Sequence, residues 1–348
     1  MSGSQTGRRT PGHKNRPPVM ADVAKLARVS HQTVSRVLHD SPHVKGDTRQ
    51  RVLDAIRQLN YRPNTVAQAL VTGRTMVIGV VSFDTALYGP ASTLIGIEEA
   101  AHEAGYAVSI TSLRSLNRAS VLDAVLRLRN QGVDGVVVIA PQKTAVEALR
   151  HLPPGVPVVT VEAGSNSPVP MVAVDQRGGA MAATQHLLDL GHRTVWHIAG
   201  PADWIEAEQR VAGWKAALKK AGAPAPPLLR GDWSAHSGYE LGRQLVQTPD
   251  VTAVFVANDQ MALGLLCLLH EVGRETPRQI SIVGFDDIPE AAYFTPPLTT
   301  VRQDFAEVGR RCIHLLLGQL EGPTRAREHV VVPTQLILRK STSPAKAR

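Results

Sequence analysis

The sequence predicts an α/β protein with a small helical unit at its N-terminus and two doubly wound lobes of parallel sheet behind it. Three observations carry this. The chain has 348 residues, beyond the ~100–200 of a single domain. Residues 1–75 hold 13 Lys/Arg against 4 Asp/Glu, a net +9, whereas residues 76–348 hold 25 against 26. After Arg74 the pattern becomes apolar β runs alternating with helical stretches, the signature of buried parallel strands joined by crossover helices. The composition, 43% hydrophobic and 20% charged, argues against global disorder.

Residues 1–18 are Gly/Pro/Arg-rich without hydrophobic periodicity and read as a flexible basic arm. Residues 19–63 read as three short helices. The first runs Met20 to Ala27 with Val23, Leu26 and Ala27 on its apolar face. Ser30 caps a second over His31 to His39, and a third from Gly46 to Leu59 buries Val52, Leu53, Ile56 and Leu59. Residues 64–74 form a linker whose stretch NTVAQALV can make a short helix. Apolar runs then predict strands at Met76–Val81, Ala107–Thr111, Gly135–Ala140, Val156–Val161, Val195–Ala199, Val251–Ala257 and Ile280–Phe285, with helices between them, such as Ser92–Ala104, Glu208–Ala221 and Gln260–Val272. Residues 75–340 make the two lobes, interleaved with chain crossovers near 173 and 303, and 341–348 form a short polar tail.

Composition and motif content exclude several classes. Cys267 and Cys312 lie in apolar runs with no C-x-x-C or His-rich partner, so neither a disulfide framework nor a zinc site is expected. No metal or cofactor is called for. Pro17 and Pro18 follow the N-terminal arginines where a secretory signal needs an apolar stretch, and no run reaches the ~18 apolar residues of a membrane span. A cytoplasmic protein without membrane contact is expected. G-x-S-x-G, P-loop, H-E-x-x-H and strand-linked G-x-G-x-x-G motifs are absent from the sequence, which argues against an enzyme.

The confined basic block points to a polyanion, with nucleic acid favoured. The spacing of the first two helices is that of a helix-turn-helix, whose second helix enters the DNA major groove. His31, Gln32, Ser35 and Arg36 then reach base edges: Gln suits adenine N6/N7 and Arg suits guanine O6/N7. For His31, phosphate contact is an equal alternative. Thr33, Tyr61 and Asn64 are better placed for phosphates, which position without specifying.

VSHQTVSRVLH, LNYRPN and AQAL resemble the LacI/GalR family of bacterial regulators. IGVV, AGPADWIEAEQRVAGW, GDWSAHSG, VANDQMALG, ISIVGFDD and PPLTTVRQDF extend the likeness over about residues 19–340. The resemblance implies a homodimer reading two half-sites of double-stranded operator DNA, with His43 among the DNA contacts. It also implies a hinge helix over Asn64–Val71 whose Leu70 wedges into a minor-groove step. Taken alone, Leu70 and Val66 read as linker core residues. The chain departs from the family pattern at three headpiece positions. Arg28 stands where a turn glycine is usual, at a position expected to need φ > 0. Val19 stands in place of a Thr helix cap, with Asp22 as partial compensation, and His31 in place of a Tyr found in a near relative.

The lobes are expected to resemble periplasmic binding proteins, with a ligand clamped beyond the carboxyl ends of the strands. Strand ends supply Phe83, Asp84, Glu162, Asn258 and Asp286, with Arg210 near a helix start and Trp233 after a short strand. Carboxylates, an amide and a guanidinium suit adjacent sugar hydroxyls, and Trp stacks on a sugar's C–H face. The resemblance places a small carbohydrate effector at these residues and adds Leu87, Gln303 and Phe305. Asp259 and Asp287 read as helix caps or lobe-to-lobe contacts. Glu162 in place of Asp, and Phe83 in place of a small polar residue, suggest a sugar related to a galactoside rather than the same one. The sequence stops soon after LILRKS, without a leucine heptad tail, so a dimer is expected. The function expected is a repressor released from its operator by a carbohydrate inducer. A co-repressor-dependent regulator using another small ligand, a sugar-binding transport protein and an effector-free nucleoid protein are the alternatives. The basic headpiece argues against transport and the polar cleft against the nucleoid role.

Overall fold

The computed structural model describes residues 16–38, 41–62, 69, 73–113, 117–152, 155–162, 164, 167–322 and 328–345. The chain divides into two compact units, Met1–Thr75 and Met76–Arg348. Among the described residues, no helix is long and apolar enough to cross a membrane.

The first unit contains α1 (Met20–Ala27), α2 (His31–Leu38) and α3 (Gly46–Leu59). Its core is Val23, Ala24, Ala27, Val34, Val37, Val52, Ala55 and Tyr61. Leu26 and Leu53, expected inside, are exposed. At 100° per residue Leu53 lies a quarter-turn past Val52, and Leu26 falls to the side of the face shared by Val23, Ala24 and Ala27. The Ser30 hydroxyl accepts the Thr33 N–H at 3.2 Å, capping α2 as expected. Val19 contributes no side-chain cap to α1, but the Asp22 carboxylate reaches back to accept the Val19 N–H at 2.9 Å. Arg28 does adopt a left-handed conformation, φ 56° and ψ 48°, ending α1 so that the chain turns into α2. Most of the basic arm and of the 64–74 linker, including Asn64 and Leu70, lies outside the described residues.

The second unit holds a six-stranded parallel sheet in the order β11-β5-β4-β3-β1-β2. Its strands are β1 (Val77–Phe83), β2 (Ala107–Leu113), β3 (Gly135–Ile139), β4 (Val158–Val161), β5 (Met171–Val174) and β11 (His329–Val332). Strands β3, β4 and β5 are buried at every position, as Val-rich central strands covered on both faces must be, whereas β2 at the edge is half exposed. Helices α4 (Tyr88–Glu103), α5 (Arg118–Asn130), α6 (Lys143–Leu149) and α11 (Phe305–Glu321) belong to this lobe. Helix α4 starts four residues before its expected Ser92, because Pro90 is tolerated within a first turn.

A second parallel sheet, β7-β6-β8-β9, is built from β6 (Trp196–Ala199), β7 (Leu229–Arg230), β8 (Ala253–Val256) and β9 (Ser281–Val283). Its helices are α7 (Gln176–Asp189), α8 (Ile205–Lys220), α9 (Ala235–Gln247) and α10 (Asp259–Glu271). Beside it β10 (Thr300–Arg302) pairs antiparallel with β12 (Gln335–Ile337). The chain passes between the lobes three times: at Asp175, at Gln303–Asp304, and between Val332 and Gln335. The last passage was not foreseen from the sequence, since it depends on the pairing of β11 with the distant β5.

Helices α4 and α11 cross at glycines. A Cβ on Gly96 would stand 2.3 Å from the Phe305 carbonyl oxygen, and one on Gly309 would stand 2.0 Å from that of Gly96. Gly309→Ala is expected to cost about 1–3 kcal/mol, read as a lowered midpoint in urea unfolding followed by circular dichroism.

Candidate DNA-reading face and ligand cleft

On α2, His31, Gln32 and Arg36 are exposed, while Thr33 and Ser35 are half-buried. The Thr33 hydroxyl pairs with that of Ser30 at 2.9 Å, so it is engaged in the cap. His43 is exposed in the loop between α2 and α3, a loop tied down by the Arg49 guanidinium donating to the Ser41 carbonyl at 2.6 Å. Tyr61 is 7% exposed and packs in the headpiece core, which leaves only a small part of it outward. An aromatic two residues past the end of α3 helps complete so small a core. What remains outward on α2 is His31, Gln32 and Arg36, two amide- or guanidinium-type readers beside an imidazole.

In the second unit a cavity of about 250 Å³ opens at the carboxyl ends of the strands. Of the ten expected residues it brings together eight: Leu87, Glu162, Arg210, Trp233, Asn258, Asp286, Gln303 and Phe305. Phe83 and Asp84 are not on the lining. The alternation of β1 puts Phe83 on the same face as Val81, in the core, where its ring lies 6.2 Å from that of Trp204. Asp84 is exposed, in a left-handed turn with φ 41° whose carbonyl accepts the Leu87 N–H.

Arg210 organises the cleft. Its side chain is 2% exposed. Nε donates to Gln176 Oε1 at 2.8 Å, Nη1 donates to the Ala257 carbonyl, and Nη2 lies 3.5 Å from Asp286 Oδ1 and 3.9 Å from Glu206 Oε2. The guanidinium carbon sits 3.9 Å from the centre of the Phe285 ring and 5.5 Å from that of Trp233. From Asp286 the polar chain runs back to the first lobe. Gln303 donates to Asp286 Oδ1 at 2.7 Å, Gln176 donates to Gln303 Oε1 at 2.9 Å, and Glu162 Oε1 accepts from the Val174 N–H at 2.7 Å and from Gln176 at 3.4 Å. Gln176 and Gln303 stand at two of the three passages between lobes, so this network links the β4 end of one lobe to the β9 end of the other.

Burial governs the acids. It raises Asp286 to about 6, with Arg210 and Gln303 pulling the other way. Glu206 rises to about 7 by burial against the pull of Arg210, with Asp286 adding repulsion. Glu162 rises to about 8 by burial and by repulsion from Glu206. Backbone strain collects at the same strand ends: Glu162, Trp233, Asp286 and Asp287 have φ of 60°, 76°, 108° and 54°, a conformation that persists only where the surroundings enforce it. Trp233 is fitted over Gly200, where a Cβ would stand 2.2 Å from the indole ring. It meets Trp204 edge-on at 5.5 Å.

Asn258 has two roles. Its Oδ1 caps α10 by accepting the Met261 N–H at 3.0 Å, and its Nδ2 donates to the Trp233 carbonyl at 3.0 Å. Asp259 is therefore not the cap; it is fully buried and accepts from the Thr300 hydroxyl and the Ile288 N–H, within one lobe. Asp287 likewise pairs within its lobe, with Arg302 at 2.7 Å and Arg339 at 2.6 Å. Sequence reasoning missed Tyr88, Trp204 and Glu206 on the lining. Glu206 was recoverable, since it lies one helical turn before Arg210 on the same face.

An exposed helix-turn-helix reading face, carried on the same chain as a two-lobed unit with a polar and aromatic cleft, defines a ligand-responsive DNA-binding regulator. Comparison with known proteins makes the assignment specific. Residues 19–64 match the model for bacterial regulatory proteins of the lacI family, and residues 184–342 match that for the periplasmic binding protein-like domain. The chain is 34% identical to the lactose operon repressor of Escherichia coli (strain K12), over 94% of this chain and 91% of that protein. It is also 34% identical to the HTH-type transcriptional regulator CelR of Thermobifida fusca, over 94% and 99%. Among solved structures it is similar to the lac repressor dimer bound to operator and the anti-inducer ONPF, with a TM-score of 0.83 at 33% identity, covering 94% of this chain and 100% of that one. The chain belongs to the LacI family of DNA-binding transcriptional regulators.

The acid cluster sets a pH dependence. Folded-state values near 6, 7 and 8 stand above ordinary carboxyl values, so between about pH 4 and pH 8 the folded state binds more protons than the unfolded one and stability falls as pH rises. Glu162→Gln, which keeps an oxygen for Val174, is expected to flatten the fall between pH 6 and pH 8. Urea midpoints measured across that range check this; parallel profiles for variant and parent would contradict it.

Proposed function

We propose that this chain is a cytoplasmic homodimeric repressor whose operator affinity falls when a small carbohydrate binds in the cleft. The observation that carries the reading is the convergence of Arg210, Asp286, Asn258, Gln303 and Glu162 with Trp233 on one cavity. These are bidentate and directional partners for vicinal hydroxyls, set beside an indole suited to the apolar face of a sugar ring. The relatives support it: solved structures similar to this chain include the lac repressor bound to ONPG and a CelR–cellobiose complex. At about 250 Å³ the cavity lies below the ~300–1,000 Å³ of drug-sized ligands, which favours a small sugar over a long oligosaccharide. The ring of hydrogen bonds through Gln176 and Gln303 supplies the coupling: a sugar that engages Asp286 and Glu162 prefers one arrangement of the lobes and shifts the population toward it. His31, Gln32, Ser35 and Arg36 read base edges in this proposal, Thr33, Tyr61 and Asn64 contact phosphates, His43 is a further DNA contact, and Leu70 is the minor-groove wedge.

Fluorescence anisotropy with the chain's own upstream DNA tests the reading. Addition of a cognate monosaccharide or disaccharide is expected to lower operator affinity. An increase in affinity would mark a co-repressor instead, and a response to purines but to no sugar would overturn the carbohydrate assignment. Leu70→Ala is expected to weaken operator binding by about tenfold or more while leaving nonspecific DNA binding nearly unchanged, because unstacking is recovered only where the duplex is kinked. Equal losses on both DNAs would remove the wedge.

A further inference from the structure

We propose that the effector of this cleft is a cationic sugar, a small amino sugar whose ammonium pairs with the Glu162 and Glu206 carboxylates. This rests on the carbohydrate reading above and narrows it.

The acidic groups on the lining outnumber the cations. Glu162, Glu206 and Asp286 face the cavity against a single cation, Arg210. That guanidinium is already committed on every nitrogen: to Gln176, to the Ala257 carbonyl, and to Asp286 and Glu206. Glu162 keeps one oxygen, Oε2, buried and without a hydrogen-bond partner. A buried charge is tolerated only when paired, so with a neutral ligand Glu162 and Glu206 stay largely protonated, and only a cationic ligand lets both ionise. The surplus is not arranged for a metal, since among the described residues no group of three or more His, Cys, Asp or Glu could hold one. The remaining walls suit an organic cation: Tyr88, Trp204, Trp233 and Phe305 line the same cavity, and aromatic faces attract ammonium groups. The Trp233 indole N–H is also buried without a partner. It is a donor only, and an oxygen acceptor on the ligand would satisfy it, which a plain alkylamine lacks and a sugar provides.

Proton accounting follows from the groups that face the acids. Glu162 faces Glu206, Arg210 and the Cys312 thiol; Glu206 faces Arg210 and Asp286; and Asp286 faces Arg210, Tyr88 and Asp259. Without a ligand, burial and mutual repulsion hold Glu162 and Glu206 at about 8 and about 7, so both are substantially protonated near neutral pH. An incoming ammonium favours their ionised forms, and the displaced protons pass to the buffer.

Isothermal titration of the full chain at pH 7, with glucosamine and galactosamine against glucose, galactose and N-acetylglucosamine, tests this. The amino sugars are expected to bind about tenfold or more tighter than their neutral counterparts, the scale of a buried charged hydrogen bond. Repeating the titration in two buffers of different ionisation enthalpy is expected to show release of about one proton for the amines alone. Glu206→Gln is expected to shrink the ratio of amino-sugar to neutral-sugar affinity. Neutral sugars binding as tightly as the amines, or amine binding without proton release, would overturn the inference and leave the carbohydrate reading intact. Putrescine binding as well as the amino sugars would support the ammonium site and overturn the sugar body. Failure of both amino sugars to bind would overturn the inference, and failure of every sugar here and in the anisotropy assay would overturn the carbohydrate reading as well.

Discussion

The cleft depends on one buried guanidinium. Arg210 lies on the first turns of α8, 2% exposed, and a cation there is tolerable only because each face and edge is answered. A carbonyl and an amide oxygen take two of its nitrogens, an acid approaches the third, and an aromatic ring covers one side. Each of those partners is thereby fixed in turn. Gln176 is oriented so that its amide hydrogens point to Gln303 and Glu162, and Asp286 is held so that one oxygen meets both Gln303 and the guanidinium. Removing the cation would leave an acid cluster with no counter-charge and two passages between the lobes without their common anchor.

This arrangement explains why strain and perturbed acids occur together. The left-handed backbone at Glu162, Trp233 and Asp286 turns side chains off the strand ends and into the cavity, where ordinary extended geometry would alternate them to the two faces of the sheet. Held there, the carboxyls lose water and rise above their ordinary values. Conformational cost and desolvation are both borne by the tight core around the site, in which glycines at 96, 200 and 309 permit contacts that any side chain would prevent.

Much of this was legible in the sequence. Valine-rich runs located the central strands because strands buried on both faces need little but branched apolar side chains, and the left-handed turn at Arg28 was expected because the family resemblance puts a glycine there. Eight of ten expected cleft residues line the cavity: strand ends in such lobes converge in space, which pointed to Glu162, Asn258 and Asp286, while Leu87, Gln303 and Phe305 came from the family resemblance. The failures are physical as well. Phe83 was assigned by its position at a strand end, without following the two-residue alternation back through Val81. The third passage between lobes, and the pairing of β11 with β5, could not be seen because register between segments about 160 residues apart leaves no local trace.

That threefold passage bears on how such proteins can be recombined. A headpiece joined to the rest of the chain by one linker can be exchanged with a single junction. The sensor lobes cannot: each is assembled from separated stretches of sequence, so that a transplant of either would need three matched splice points, two of them beside the cleft. Recombination within this architecture therefore changes which DNA is read far more readily than it changes half of a ligand site, and new effector preferences have to arise by substitution in place.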